Sequence, residues 1–262
     1  MVQIKNSRNG DIVMRDEEFL IEGRNVVIEA FRSGKTIDRL FVLDGCQDGP
    51  VRTILREAKK TDCIINFVKK ERLDQLSVTG RHQGVIAYIA AYKYGTVEDM
   101  LKTANERNEL PFLILLDNIE DPHNLGSIIR TANQAGAHGV IIPKRRAAGL
   151  TAVVAKASAG AINYTPVAKV TNIVKVIEDL KKQGMWFVCG DMEGETMYNL
   201  DLTGPIGLVI GSEGNGTSRL VKEKCDFIAS IPMSGDIGSL NASVAMGILS
   251  YEIVRQRLMR KK

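Results

Sequence analysis

Ile231-Pro232-Met233-Ser234-Gly235-Asp236-Ile237-Gly238-Ser239-Leu240-Asn241-Ala242-Ser243-Val244-Ala245 joins two kinds of periodicity. Before and into it, Asp226 to Met233 reads as a strand. After it, Ala242 to Leu258 reads as a helix with apolar residues at helical spacing. The loop between them carries Gly235 and Gly238. Glycine there removes the side chain that would block a ligand's approach to the backbone. Ser239, Asn241 and Ser243 can each cap the helix that follows. On these residues alone the stretch is a strand–loop–helix joint with ordinary caps, as many helix starts are.

Working outward, the same joint recurs. Phe112-Leu113-Ile114-Leu115-Leu116 is a continuous apolar run of the kind buried on both faces of a parallel sheet. A helix follows from Gly126 to Gln134, stopped by Gly136, then a strand Val140 to Ile142. Ala152 to Ala159 and Asn172 to Lys182 read as helices, and Trp186 to Cys189 and Gly207 to Ile210 as strands. Such alternation implies a parallel sheet with helices on both faces, and ligands bind beyond the carboxyl ends of its strands. Gly190-Asp191, Gly211-Ser212-Glu213 and Met233-Ser234-Gly235 each follow a strand directly, so three loops are expected at one edge.

Toward the N-terminus, Phe19 to Arg32 reads as one helix, Arg39 to Leu43 as a strand and Val51 to Lys60 as an amphipathic helix. Cys63 to Val68 and Val85 to Ala91 read as strands, with a helix from Glu71 to Leu76 between them. This is a small α/β unit. The expected organisation is an N-terminal extension over 1–16, a first domain over 17–93, a partly helical linker over 94–108 and a second domain over 109–262.

Composition places the chain among soluble proteins. Its 262 residues are 44% hydrophobic and 25% charged, with a net charge of +4. No apolar run reaches the length of a membrane span, and Met1-Val2-Gln3-Ile4-Lys5 lacks a signal-peptide core. A cytoplasmic protein with no membrane association is expected. Cys46, Cys63, Cys189 and Cys225 are far apart in sequence, form no Cys/His cluster and read as reduced thiols, so no metal site is expected. Residues 1–94 carry a surplus of three positive charges, and residues 95–254 a surplus of four negative ones. The last eight residues hold five basic side chains, which suit either phosphate or the C-terminal end of a helix.

Asn124-Leu125-Gly126-Ser127-Ile128-Ile129-Arg130-Thr131-Ala132, Leu208-Val209-Ile210-Gly211-Ser212-Glu213-Gly214-Asn215-Gly216 and the opening stretch occur in this order. Together they resemble the three motifs of the SpoU (TrmH) family of RNA ribose 2′-O-methyltransferases. Glu22-Gly23-Arg24-Asn25-Val26-Val27-Ile28-Glu29-Ala30 and His82-Gln83-Gly84-Val85 are similar to the substrate-binding domain of the bacterial 23S ribosomal RNA guanosine-2′-O-methyltransferase group. The resemblance implies a SPOUT domain with a C-terminal trefoil knot, preceded by a small L30e-like α/β domain. It also implies S-adenosylmethionine as cofactor, RNA as partner and a homodimer.

The site residues follow from the same resemblance. Gly211, Ile231, Met233 and Leu240 match cofactor-contact positions, largely through backbone groups. Arg130, Asn124, Glu213, Ser239 and Asn241 match catalytic positions. Arg130 is expected to grip the phosphate beside the target ribose, because guanidinium binds phosphate bidentately and hardly deprotonates. Arg24 and Asn25, with Arg130, are the expected RNA contacts. Other readings stay open at this point: a tRNA-directed or adenosine-directed enzyme, or a noncatalytic RNA-binding assembly factor on the same fold.

Overall fold

The computed structural model describes residues 19–61, 63–236 and 238–260. They divide into two compact units, one ending at Ala91 and the other built from Tyr92 onward. The expected 1–16 extension lies outside the described residues.

The first unit runs β1 (Leu20–Glu22), α1 (Arg24–Arg32), β2 (Ile37–Leu43), α2 (Gly49–Lys60), β3 (Ile64–Val68), α3 (Lys70–Leu76) and β4 (Val85–Ile89). Its sheet has the order β1-β4-β2-β3. The pair β2–β3 is parallel, and β4 is antiparallel to both β1 and β2. The single helix expected from Phe19 is broken at Gly23, which has φ 91. That left-handed backbone costs little in glycine, and it splits a short strand from α1. Glu22 then fixes β1. Its carboxylate accepts from Ser77 and from the amides of Val78 and Thr79 at 2.8 and 3.0 Å. Burial opposes ionisation of Glu22, but these donors outweigh it and hold the carboxyl below its usual range. Val27, Leu40, Val42, Ile54 and Val85 fill the core between helices and sheet.

The second unit runs α4 (Val97–Glu106), β5 (Phe112–Asp117), α5 (Pro122–Gln134), β6 (Gly139–Pro143), α6 (Ala152–Ala157), β7 (Val167–Val170), α7 (Ile173–Lys181), β8 (Trp186–Thr196), β9 (Ile206–Gly211), α8 (Arg219–Lys224), β10 (Phe227–Ser230) and α9 (Ala242–Arg260). The stretch 94–108 is no free tether. Thr96 and Asp99 close a capping box on α4, and Met100 is fully buried in the core of this unit.

Six strands lie in the order β10-β8-β9-β5-β6-β7, all paired in parallel. The apolar run of β5 is buried throughout, as a central parallel strand should be. Phe112, Ile114 and Leu116 face α5 and α9, with Ile128, Met246 and Ile253 among their core partners. Leu113 and Leu115 face the other way, into a core shared with Met100, Ile177 and Leu180.

Strand order places the site. From β5 the chain winds toward β6 and β7, whereas from β9 it passes over β8 to β10. The winding therefore reverses between β5 and β9, whose last residues Asp117 and Gly211 are register partners. Such a switch point opens a crevice at the carboxyl ends of the strands. Two expectations change here. The strand expected to reach Met233 ends at Ser230, and Gly190-Asp191 lie inside β8 rather than after it.

Candidate active site

The crevice is lined by a cavity of about 690 Å³. Gly211, Ile231, Met233 and Leu240 all line it, as do Glu213 and Ser239. Ile210, Ala245 and Leu249 supply further apolar wall. A second cleft of about 710 Å³ opens on the other side of the 212–216 loop, against Asn118, Asp121, Asn124 and Arg146. The loop between the two spaces is shared by both.

That loop is closed by its own backbone. The Ser212 amide donates to the Gly216 carbonyl at 3.1 Å, and the Gly216 amide returns to Ser212 at 2.8 Å. A Cβ on Gly211 would stand 2.1 Å from the carbonyl carbon of Gly216 and the amide nitrogen of Thr217. Gly211 is therefore required by the loop's closure before any ligand enters the argument. Gly235 and Gly238 differ, because a Cβ on either meets nothing within 4 Å.

Asn124, Glu213 and Asn241 meet at the rim. Asn124 Nδ2 donates to Glu213 Oε1 at 2.9 Å. Asn241 Nδ2 donates to Asn124 Oδ1 at 2.9 Å and also reaches Glu213 Oε1. The Ala242 amide points at the same carboxylate oxygen, at 3.4 Å. One helix start, one strand-end loop and a second helix start are thus locked together across 117 residues of sequence. Asn241 also caps α9, accepting the amides of Ser243 and Val244 at 3.0 and 3.3 Å. Asn124 is no cap. Helix α5 begins at Pro122 with Asp121 as its N-cap, so Asn124 sits inside the first turn, beside the positive end of the helix.

Arg130 stands apart from this cluster. It is exposed on α5, its side chain has no ion pair among the described residues, and it lines neither space. Ser239 is exposed on the cavity wall. In the first unit, Asn25 is exposed, and Arg24, the other RNA contact expected there, is held in place by its neighbours. Its guanidinium pairs with Asp48 at 2.7 Å and donates from Nε to the Gln83 carbonyl at 3.0 Å. Arg24 ties the start of α1 to the 81–84 turn and to the residue that caps α2.

Other contributors were given no role from the sequence, although Gly190-Asp191 was expected at this edge and Ser212 lies in one of the three motif stretches. Asp117 is buried at the end of β5 and accepts the Ser218 amide at 2.7 Å, fixing the start of α8. Ser212 Oγ is buried with no hydrogen-bond partner among the described residues, on a wall common to both spaces. An unpaired buried hydroxyl is costly unless a ligand or water completes it. Asp191, Glu193 and Lys222 add an ionic sector to the first cavity. Among the described residues no three His, Cys, Asp or Glu side chains gather as a metal site, and no helix is long and apolar enough to cross a membrane.

Residues 111–251 match the SpoU rRNA Methylase family, and residues 20–95 match the family described as RNA 2′-O ribose methyltransferase substrate binding. YacO of Bacillus subtilis (strain 168), assigned by name to the TrmH family of tRNA/rRNA methyltransferases, is 49% identical, over 93% of this chain and 98% of its own. The SpoU methyltransferase AviRb from Streptomyces viridochromogenes, solved in complex with the cofactor AdoMet, is 27% identical at a TM-score of 0.57, over 95% of both chains. An AdoMet-bound rRNA methyltransferase from Sinorhizobium meliloti is 25% identical at a TM-score of 0.55, over 92% of this chain and 89% of its own.

Proposed function

The chain belongs to the SpoU rRNA methylase family, and on that premise we propose that it methylates the ribose 2′-hydroxyl of a guanosine in 23S ribosomal RNA. It is an S-adenosylmethionine-dependent RNA methyltransferase of the TrmH/SpoU type. The guanosine of 23S RNA is read from the likeness of Glu22–Ala30 and His82–Val85 to that substrate-binding domain, and the place of transfer from one observation above all. The hydrogen-bonded triangle of Asn124, Glu213 and Asn241 stands at the rim where the apolar cavity meets the second cleft.

The first cavity suits the cofactor. Its volume of about 690 Å³ falls within the range of small-molecule sites. Ile231, Met233 and Leu240 offer apolar cover and backbone groups, and the orphan Ser212 hydroxyl gains a partner when the space is filled. When bound there, S-adenosylmethionine supplies an electrophilic methyl group on sulfur. The residues do the rest. Asn124, Glu213 and Asn241 hold the two helix starts and the loop in one geometry, which is how alignment lowers a barrier without new chemistry. Arg130, exposed and free of an ion pair among the described residues, takes the phosphate next to the target ribose and aligns the hydroxyl. Ser239, on the cavity wall, is placed to contact the reacting groups. The target nucleotide enters by the second cleft, where Arg146 is a further phosphate contact.

The match over residues 20–95 supports a substrate-reading first unit, with exposed Asn25 as an RNA contact and Arg24 as the brace behind it. The homodimer and the C-terminal trefoil knot belong to the same proposal. Mapping ribose methylation across ribosomal and transfer RNA of a strain lacking this chain tests it. One missing 2′-O-methylguanosine in 23S RNA is the expected result. Loss confined to tRNA, or to an adenosine, would redirect the substrate assignment.

A further inference from the structure

The cavity has two unlike sectors. One is apolar, formed by Ile210, Ile231, Met233, Leu240, Ala245 and Leu249. The other is ionic. Lys222 Nζ on α8 lies 2.9 Å from Asp191 Oδ2 and 3.2 Å from Glu193 Oε2, and all three residues line the space.

Strand β8 is deformed to deliver the two carboxylates. Its pairing with β10 jumps from Cys189 to Glu195 across a single step of the partner, between Ile228 and Ala229. Residues 190–194 therefore bulge out of the ladder, and bulges of this kind re-aim side chains beside active sites. A glycine stands at both ends of the bulge, and at Gly194, which packs against backbone, it is required. A Cβ on Gly190 would lie 2.8 Å from Leu249 Cδ1, and one on Gly194 would lie 2.4 Å from the Ile228 carbonyl oxygen. Between these glycines Asp191 is only 20% exposed, and Lys222 across from it on α8 is 22% exposed, so this pair is partly shielded from water, while Glu193 is 85% exposed and closes the sector from the solvent side.

We propose that Asp191, Glu193 and Lys222 form the seat for the amino-acid end of the cofactor, with Lys222 taking its carboxylate and the two acidic residues its ammonium. The assignment rests on the reading above that S-adenosylmethionine is the cofactor. A zwitterion carries both signs a few bonds apart, and this triad presents both signs within hydrogen-bonding reach of each other. Neither partner then has to be buried without a counter-charge. Both groups are ionised near neutral pH. Burial opposes the charge on Asp191, but the Glu193 amide and Lys222 outweigh it and hold the carboxyl low, while hydrogen bonding to Asp191 raises the Lys222 ammonium. Arg219 also lines the cavity, but its guanidinium is 92% exposed and pairs with Glu223. The apolar sector is left for the adenosine end, which carries no charge.

The test compares ligands that share adenosine and sulfur: S-adenosylmethionine has the amino-acid end and a sulfonium charge, 5′-methylthioadenosine has neither, and S-adenosylhomocysteine, a neutral thioether that keeps the amino-acid end, is measured beside them and should follow S-adenosylmethionine. Affinities of the full chain for S-adenosylmethionine and for 5′-methylthioadenosine are measured by calorimetry, with thermal melting as the check on folding. Lys222→Gln and Asp191→Asn should each weaken S-adenosylmethionine by about tenfold or more, the loss of a charge-assisted contact. Both variants should leave 5′-methylthioadenosine unchanged, and Lys222→Arg should keep most of the affinity for both ligands. Equal weakening of the two ligands, or no change in either, would overturn the seat. A wild-type chain that binds neither ligand would instead overturn the parent reading of the cofactor.

Discussion

Glu213 is the residue on which the site's geometry depends most. One of its oxygens receives both asparagine amides and faces the first amide of α9. Hydrogen bonds to charged groups contribute roughly 1.5–3 kcal/mol each, and less where water competes. Glu213→Ala should therefore abolish transfer and lower stability by about 1–2 kcal/mol, at the low end because the site is exposed. Glu213→Gln keeps an acceptor oxygen and should retain measurable single-turnover activity. If alanine and glutamine were equally inactive and equally stable, the triangle would not act by positioning. Arg130 and Gly211 fail in different ways. Arg130→Ala removes a group that touches nothing in the cavity, so transfer should vanish while calorimetry shows unchanged cofactor affinity. Gly211→Val pushes a side chain into the backbone of Gly216 and Thr217. It should weaken cofactor binding by deforming the loop rather than by filling the site. Unchanged cofactor affinity in Gly211→Val would contradict that account.

Among the elements, those with a dense apolar pattern were legible, including the short α6 and β6, and three short ones without such a pattern were not. Strand β5 was visible as an apolar run because both its faces are buried, and α7 because its buried positions Ile173, Ile177 and Leu180 recur at helical spacing. Strand β1 has three residues and α8 six, too few for a period to register. The four-residue β7, with Lys169 in its middle, was also missed. The three motifs were readable as local patterns, but the contacts among Asn124, Glu213 and Asn241 span 89 and 117 residues and no local rule predicts them. The ionic sector was invisible for a different reason, since Lys222 looks like any surface lysine until the bulge in β8 brings Asp191 beneath it. At this scale, the turn between α5 and β6 makes a pH prediction. His138 is buried there, with Nδ1 accepting the Phe112 amide at 3.1 Å and Nε2 lying 3.1 Å from Glu109. Burial depresses its pKa below the ordinary 6.5, outweighing Glu109. The fold thus favours neutral imidazole, so this stabilisation is complete above pH 6.5 and is lost as pH falls through the folded value. Melting temperature should fall between about pH 7.5 and 5.5, and less steeply in His138→Gln. Identical slopes would remove His138 from the account.

For the whole molecule, α9 decides two questions. The apolar stripe of Val244, Ile248, Tyr251 and Val254 is split. Met246, Leu249 and Ile253 form the buried face, while Val244 and Tyr251 are 49% and 50% exposed. That outward apolar strip fits the proposed homodimer. Light scattering should give twice the chain mass of 28.8 kDa, and Tyr251→Asp should shift it toward the monomer. A monomeric wild type at micromolar concentration would reject the dimer. The described arginines of the basic tail brace the fold. Arg255 pairs with Glu252, Arg257 donates to the carbonyls of Leu110, Pro111 and Gly204, and Arg260 donates to Thr203. In the proposed reaction the crevice between β5 and β9 transfers a methyl group to a ribose oxygen. The most direct measurement incubates the purified chain with labelled S-adenosylmethionine and unmodified 23S RNA, then digests the RNA to nucleosides and separates them. Label is expected in 2′-O-methylguanosine with wild type and none with Arg130→Ala; label on a base, or none on the RNA with wild type, would overturn the proposed reaction.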